Sequence, residues 1–222
     1  MGCGAMQLAA PHVFGPPADR EGAVALLREV VALGITHIDT SDYYGPHVTN
    51  QIIREALRPY PADLRTVTED GARCGDQSGR PQALALKELR QAAHENLTNL
   101  RLETLDVVKL RAGRLDSPTS GSVAESLRCW RRCNSRGFRA PRAEHRHRWA
   151  VSPRSRPTPS PGWPTRLHAI PMAIALAWLL QRSPNILLIA GTSSAEHLRE
   201  NVAGAALHLP ADAVAELDAI AN

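Results

Sequence analysis

Residues 3–110 alternate between short apolar runs and amphipathic stretches, and this alternation limits the fold more than any other feature of the chain. The runs at 3–8, 35–39, 64–68 and 105–110 read as strands. Between the first two, Val24, Leu27 and Val31 recur at helical spacing over 20–33, and Gly34 supplies the stop. Thr49 is placed to cap a helix carrying Ile52, Ile53, Ala56 and Leu57. Leu86, Leu89, Ala93, Leu97 and Leu100 share one face of a third helix over 86–100. Strict alternation of this kind predicts a parallel sheet with right-handed helical crossovers. The pattern resumes near the end of the chain. Pro171 suits a first helical position, a strand follows at 186–190, and Ser193 to Glu196 reads as a capping box opening another helix. A last short helix is expected over 212–220.

The stretch between these two parts has a different composition. Residues 111–166 carry 13 Arg against Asp116, Glu125 and Glu144, a local charge of +10 in a chain whose total is +4. Pro141, Pro153, Pro157, Pro159, Pro161 and Pro164 interrupt helices, and Trp130, Trp149 and Trp163 stand among Arg, Ser and Pro. Such a segment buries too little apolar surface to offset its ordering entropy, so a disordered middle is expected. The whole chain, 1–222, is expected to form one domain, with 113–166 irregular, basic and rich in Pro, Arg and Ser. A basic block raises the question of nucleic acid. It has neither aromatics alternating on a strand face nor a helix suited to the major groove, which argues against that partner.

Cys3, Cys74, Cys129 and Cys133 are scattered, and reduced thiols are expected. Cys129 and Cys133 followed by His145 and His147 mimic a zinc site, but the His pair is spaced by one residue, and no metal is expected. The apolar run at 172–180 is too short to span a bilayer, so a cytoplasmic protein without membrane contact is expected. Asn96-Leu97-Thr98 forms a glycosylation sequon, which carries no weight without a secretory signal.

The chemistry concentrates in Ile38-Asp39-Thr40-Ser41-Asp42-Tyr43-Tyr44-Gly45. Asp39 ends a strand, and Tyr44 follows five residues later in the loop. His37 shares the parity of Asp39 and reads as a core residue. This stretch, together with Gly191-Thr192-Ser193-Ser194 after the last strand, resembles the aldo-keto reductases over residues 2–110 and 171–220. The resemblance implies a (β/α)8 TIM-barrel fold, incomplete here because three strands have no counterpart in the middle segment. It also implies NADP(H)-dependent reduction of an aldehyde or ketone to an alcohol, with NAD as the alternative cofactor and a small carbonyl compound as substrate. Tyr44 would donate the proton, and Asp39 would orient a Lys that favours the phenolate. An unperturbed Tyr titrates near pH 10 and is a poor acid at neutral pH.

Two positions depart from the family pattern. Glu69 stands where the family has its Lys, and Arg111 stands where it has a His. Glu69 is expected to crowd Asp39 with a second negative charge, and Arg111 to compensate in part. Candidate catalytic residues are therefore Asp39, Tyr44, Glu69 and Arg111. Candidate cofactor residues are Gly191, Thr192, Ser193, Ser194, His197, Glu200 and Asn201, with the phosphate held at the helix start. His197 takes the place of an Arg that meets the 2′-phosphate, and Arg199 is the nearby substitute. The family's nicotinamide clamp has no recognisable counterpart. A truncated or frame-disrupted member with impaired activity is expected. The competing readings are an inactive dinucleotide-binding remnant and a basic nucleic-acid-binding chain.

Overall fold

A computed structural model of the chain describes residues 1–73, 81–111 and 162–221. Five short strands form one parallel sheet: β1 (Gly2–Gly4), β2 (His37–Asp39), β3 (Arg65–Asp70), β4 (Val107–Leu110) and β5 (Ile189–Gly191). The helices are α1 (Arg20–Ala32), α2 (Val48–Leu57), α3 (Leu86–Leu100), α4 (Gly162–Leu167), α5 (Pro171–Gln181), α6 (Ala195–Ala206) and α7 (Ala211–Ala221). The spatial order of the strands is β4-β3-β2-β1-β5. The first four neighbour one another in chain order, and the last strand returns to lie beside the first. That return is how a parallel sheet closes on itself, so the fold is of the (β/α)8-barrel type, incomplete among the described residues.

Each strand has two faces with different work. Ile38, Val108 and Leu110 are buried in the main core with Val24, Leu27 and Val30 of α1, Ile52 and Ile53 of α2, and Leu89, Ala93 and Leu100 of α3. Residues of opposite parity, among them Asp39, Glu69 and Lys109, turn to the other face. A second core joins Trp163 of α4, Ile174, Ala177 and Trp178 of α5, and Leu209, Ala213 and Leu217 at and within α7. The close fit of α5 on α6 depends on Gly204, where a Cβ would meet the Ala173 Cα at 2.8 Å.

Several sequence expectations shift by a few residues, each for a local reason. The first strand ends at Gly4, and Ala5–Leu8 tightens into a 3₁₀ turn that buries Ala5 and Leu8. Thr49 lies inside α2 rather than capping it, and the cap is His47 in the left-handed region, at φ 63°. The capping box at Ser193 does not form. Ser194 is the N-cap, accepting from the His197 N–H at 3.4 Å, which moves the third helical position from Glu196 to His197. Trp163, which falls in the stretch expected to be disordered, is 5% exposed in α4, and its indole donates to Glu216. An apolar wall on α5 and α7 supplies the burial that its own neighbours in sequence lack. The rest of the middle segment lies outside the described residues.

Among the described residues, no helix is long and apolar enough to cross a membrane. Asn96 of the sequon is fully buried, so its amide is out of reach in the folded chain.

Candidate functional site

Between the sheet and the helices lies a buried polar scaffold. Thr40 donates to Asn50 Oδ1 at 2.8 Å, and Asn50 donates to Asn96 Oδ1 at 2.8 Å. Thr68 donates to the same Asn96 oxygen at 2.7 Å, and Asn96 Nδ2 donates to Asp70 Oδ1 at 3.0 Å. These bonds tie the C-terminal ends of β2 and β3 to α2 and α3. Burial, with the nearby Asp42, Glu69 and Glu95 charges, pushes the Asp70 carboxyl well above the usual carboxylate range. Gly71 then turns the chain at φ +107°, where a Cβ would meet the Arg111 carbonyl oxygen at 2.7 Å. Only glycine permits that approach of β3 to the end of β4.

On the opposite face of the sheet, acids and bases face each other in pairs. Lys109 of β4 donates to Asp39 Oδ2, with side chains only 12% and 11% exposed. Glu69 of β3 accepts from the Tyr43 hydroxyl at 2.8 Å and lies 3.7 Å from the Arg111 guanidinium. Arg111 also donates to the Tyr43 oxygen at 3.1 Å. The Tyr44 ring stands edge-on to Tyr43, with centroids 5.0 Å apart, and both rings are buried. The loop carrying them is held by the Ser41 hydroxyl donating to the Glu69 carbonyl at 2.9 Å and by the His47 N–H donating to the Asp42 carbonyl at 2.7 Å.

The four sequence candidates Asp39, Tyr44, Glu69 and Arg111 thus gather at one end of the sheet. Glu69 has Tyr43 and Arg111 as partners and Asp39 has Lys109, so each carboxylate meets a base of its own. Lys109 and Tyr43 are the site residues that sequence reasoning passed over. A signal for Lys109 exists. In a barrel interior, alternate strands contribute to the same layer, so a Lys of inward parity on β4 meets an Asp on β2 across β3.

The cofactor candidates sit at the end of β5 and the start of α6. Thr192 is buried, and its Oγ1 accepts from the Ser194 N–H at 3.0 Å. Its role is to shape the turn, and the Ser194 hydroxyl is spent on the helix cap. Ser193 and His197 are exposed, while Gly191 ends the strand. Glu200 and Asn201 lie half-buried farther along α6. The exposed Ser193 hydroxyl and the backbone N–H groups of the first turn suit a phosphate in charge and in hydrogen-bond type. Arg199 is not turned to this end, because it donates to Glu29 of α1 at 2.6 Å. Residues positioned to clamp a nicotinamide would fall in the segment outside the described residues.

The profile of the Aldo/keto reductase family matches residues 1–124 and 166–222, leaving out most of the basic stretch. The chain is 43% identical over 270 aligned positions to pyridoxine 4-dehydrogenase of Escherichia coli, covering 100% of this chain and 94% of that protein. Two solved structures share the fold. A holo aldo-keto reductase from Bacillus halodurans superposes with a TM-score of 0.75 at 17% identity, covering 100% of this chain and 92% of that one. An aldo/keto reductase from Klebsiella pneumoniae in complex with NADP and acetate gives 0.67 at 17% identity, covering 99% and 90%.

Proposed function

Because the chain belongs to the Aldo/keto reductase family, we propose that it reduces an aldehyde to a primary alcohol with NADPH as the hydride source. The observation that carries this reading is the Asp39–Lys109 ion pair beside the Tyr43-Tyr44 loop. In the family resemblance, an Asp-bound ammonium favours the phenolate of the Tyr that protonates the carbonyl oxygen. Here the Lys is missing at Glu69, and a Lys one strand farther along reaches the same Asp. Tyr44 is then the proton donor and Asp39 the anchor of Lys109. Tyr43, between Glu69 and Arg111, fixes the loop and lines the carbonyl site.

Bound NADPH supplies the hydride. The chain supplies the rest: Ser193 and the first turn of α6 hold a phosphate, and Tyr44 gives its proton to the oxygen that accumulates charge. The bacterial relative is named for pyridoxine oxidation at position 4, and the Klebsiella structure holds NADP. Pyridoxal, an aldehyde on a pyridine ring, is therefore the first carbonyl to test. The purified chain is mixed with NADPH and pyridoxal, and loss of nicotinamide absorbance is followed beside the Tyr44→Phe variant. Turnover that disappears in Tyr44→Phe supports the proposal. NADPH binding without turnover would favour the alternative of a dinucleotide-binding protein that has lost its chemistry.

A further inference from the structure

Behind the tyrosine loop, on the helix side of the sheet, three groups meet that carbonyl reduction does not use. Asp42 follows β2, His47 caps α2 and Glu95 lies on α3. One donor atom from each lies within 4.8 Å of the other two. Asp42 is only 6% exposed, and its Oδ1 has no hydrogen-bond partner. His47 Nδ1 is also buried and without a partner. Glu95 is held in place by Gln91, which donates to its Oε1 at 2.6 Å.

Unpaired buried polar atoms are costly, at about 1–3 kcal/mol each, and here two residues that carry one belong to the same cluster. As placed, neither atom is hydrogen-bonded to the other or to any other group. A cation satisfies them together. We propose that Asp42, His47 and Glu95 bind a first-row divalent cation such as Zn²⁺, which pins the tyrosine loop to α3. One imidazole with two carboxylates suits zinc, cobalt or manganese, whereas magnesium and calcium prefer oxygen alone. Two carboxylates with a neutral imidazole also cancel the charge of the ion. With bonds of about 2.0–2.2 Å, a tetrahedral ion sets its donors about 3.4 Å apart, so donors that lie within 4.8 Å of one another have to close by up to about 1.4 Å. Glu95 lies on a half-exposed face of α3, the least enclosed side of the cluster together with His47. In metal-free protein, burial first and the Glu95 charge second push the Asp42 carboxyl up to about 7, the response of a carboxylate left without a counter-ion.

The site is tested on the full chain after treatment with chelator, by titration with Co²⁺. Visible absorption and equilibrium dialysis are read for the natural chain, Glu95→Gln, His47→Gln and a Cys129→Ser, Cys133→Ser double variant. The natural chain and the cysteine variant are expected to take up one ion with the same spectrum. Glu95→Gln and His47→Gln should each weaken binding by more than about 100-fold, since loss of even an outer partner of a metal ligand costs about 10–100-fold. Circular dichroism checks that each variant is folded, and Glu95→Gln, on a half-exposed helix flank, keeps the shape of the side chain. No stoichiometric uptake by the natural chain overturns the proposal. So does uptake that survives both Glu95→Gln and His47→Gln, or that is lost with the cysteines.

Discussion

Replacing Lys109 by Met separates the electrostatics of the site from its stability. The substitution keeps the length of the side chain and deletes the cation. Asp39, 11% exposed at its side chain, is left without the ammonium that faces it. Removing one member of a buried ion pair typically costs about 3–5 kcal/mol, a large part of the roughly 5–15 kcal/mol that holds a domain together. On the proposed mechanism the same deletion removes the charge that would favour the Tyr44 phenolate, and general-acid help is worth about 10²–10⁴-fold in rate. Both effects lower activity, so Lys109→Met alone cannot tell them apart. The double variant Lys109→Met, Asp39→Asn removes both charges. Its melting temperature should return most of the way to that of the natural chain, while kcat stays down by about 10²-fold or more. On the proposed mechanism the basic limb of the pH–rate profile should also move to higher pH, because a cation beside a phenol favours the phenolate and its removal reverses that. NADPH oxidation with pyridoxal and thermal denaturation by circular dichroism give the two readouts. A double variant with full kcat and an unmoved pH profile would refute the role assigned to Lys109.

Four further outcomes follow from the same geometry. Sequence alone suggests that Glu69→Lys restores a missing cation, but here it would set a third positive charge beside Lys109 and Arg111 and break the Tyr43 bond, so steady-state assays should show a loss of activity. Ser193→Glu should abolish NADPH binding in fluorescence titration, because it places a carboxylate where a phosphate would lie. Asn96→Ala unpairs Asn50, Thr68 and Asp70 together, and urea unfolding should report a loss of about 3 kcal/mol or more. Asp70 is raised by burial, so the folded state holds its proton where the unfolded chain, with a pKa of about 3.9, releases it. Stability in chelator should therefore fall as pH rises above about 4, and Asp70→Asn should flatten that fall and stabilise the chain at neutral pH.

The alternation of elements was legible because hydrophobic period depends on local packing, and α3 falls on Leu86–Leu100 as its apolar stripe predicts. Strand ends were less legible. Thr68 and Asp70 face α3 through hydrogen bonds to Asn96 rather than apolar contact, so β3 runs two residues past its hydrophobic signal. Asp39 and Tyr44 were found through their spacing, a property of one loop. Lys109 was not, because its partner lies two strands away and only sheet closure brings them together. The Asp42–His47–Glu95 cluster was missed for a similar reason. Its members come from a loop, a cap and a helix that no local motif connects.

The two cores also divide the aromatic side chains by type. Tyr43, Tyr44 and Tyr60, all the tyrosines of the chain, belong to the half built on β1–β4, while Trp163 and Trp178 lie in the helical core formed by α4, α5 and α7. Among the described residues the two halves thus carry separate optical labels, which become selective once Trp130 and Trp149, outside the described residues, are replaced by Phe. Tyrosine absorbance follows the half that holds the carbonyl site, and the buried indoles follow the half that supports the phosphate end. Where the halves melt as one unit, the two signals change together. A temperature at which the indole signal has moved and the tyrosine signal has not would mark a partly open molecule, with its proton donor still in place and its cofactor support already gone.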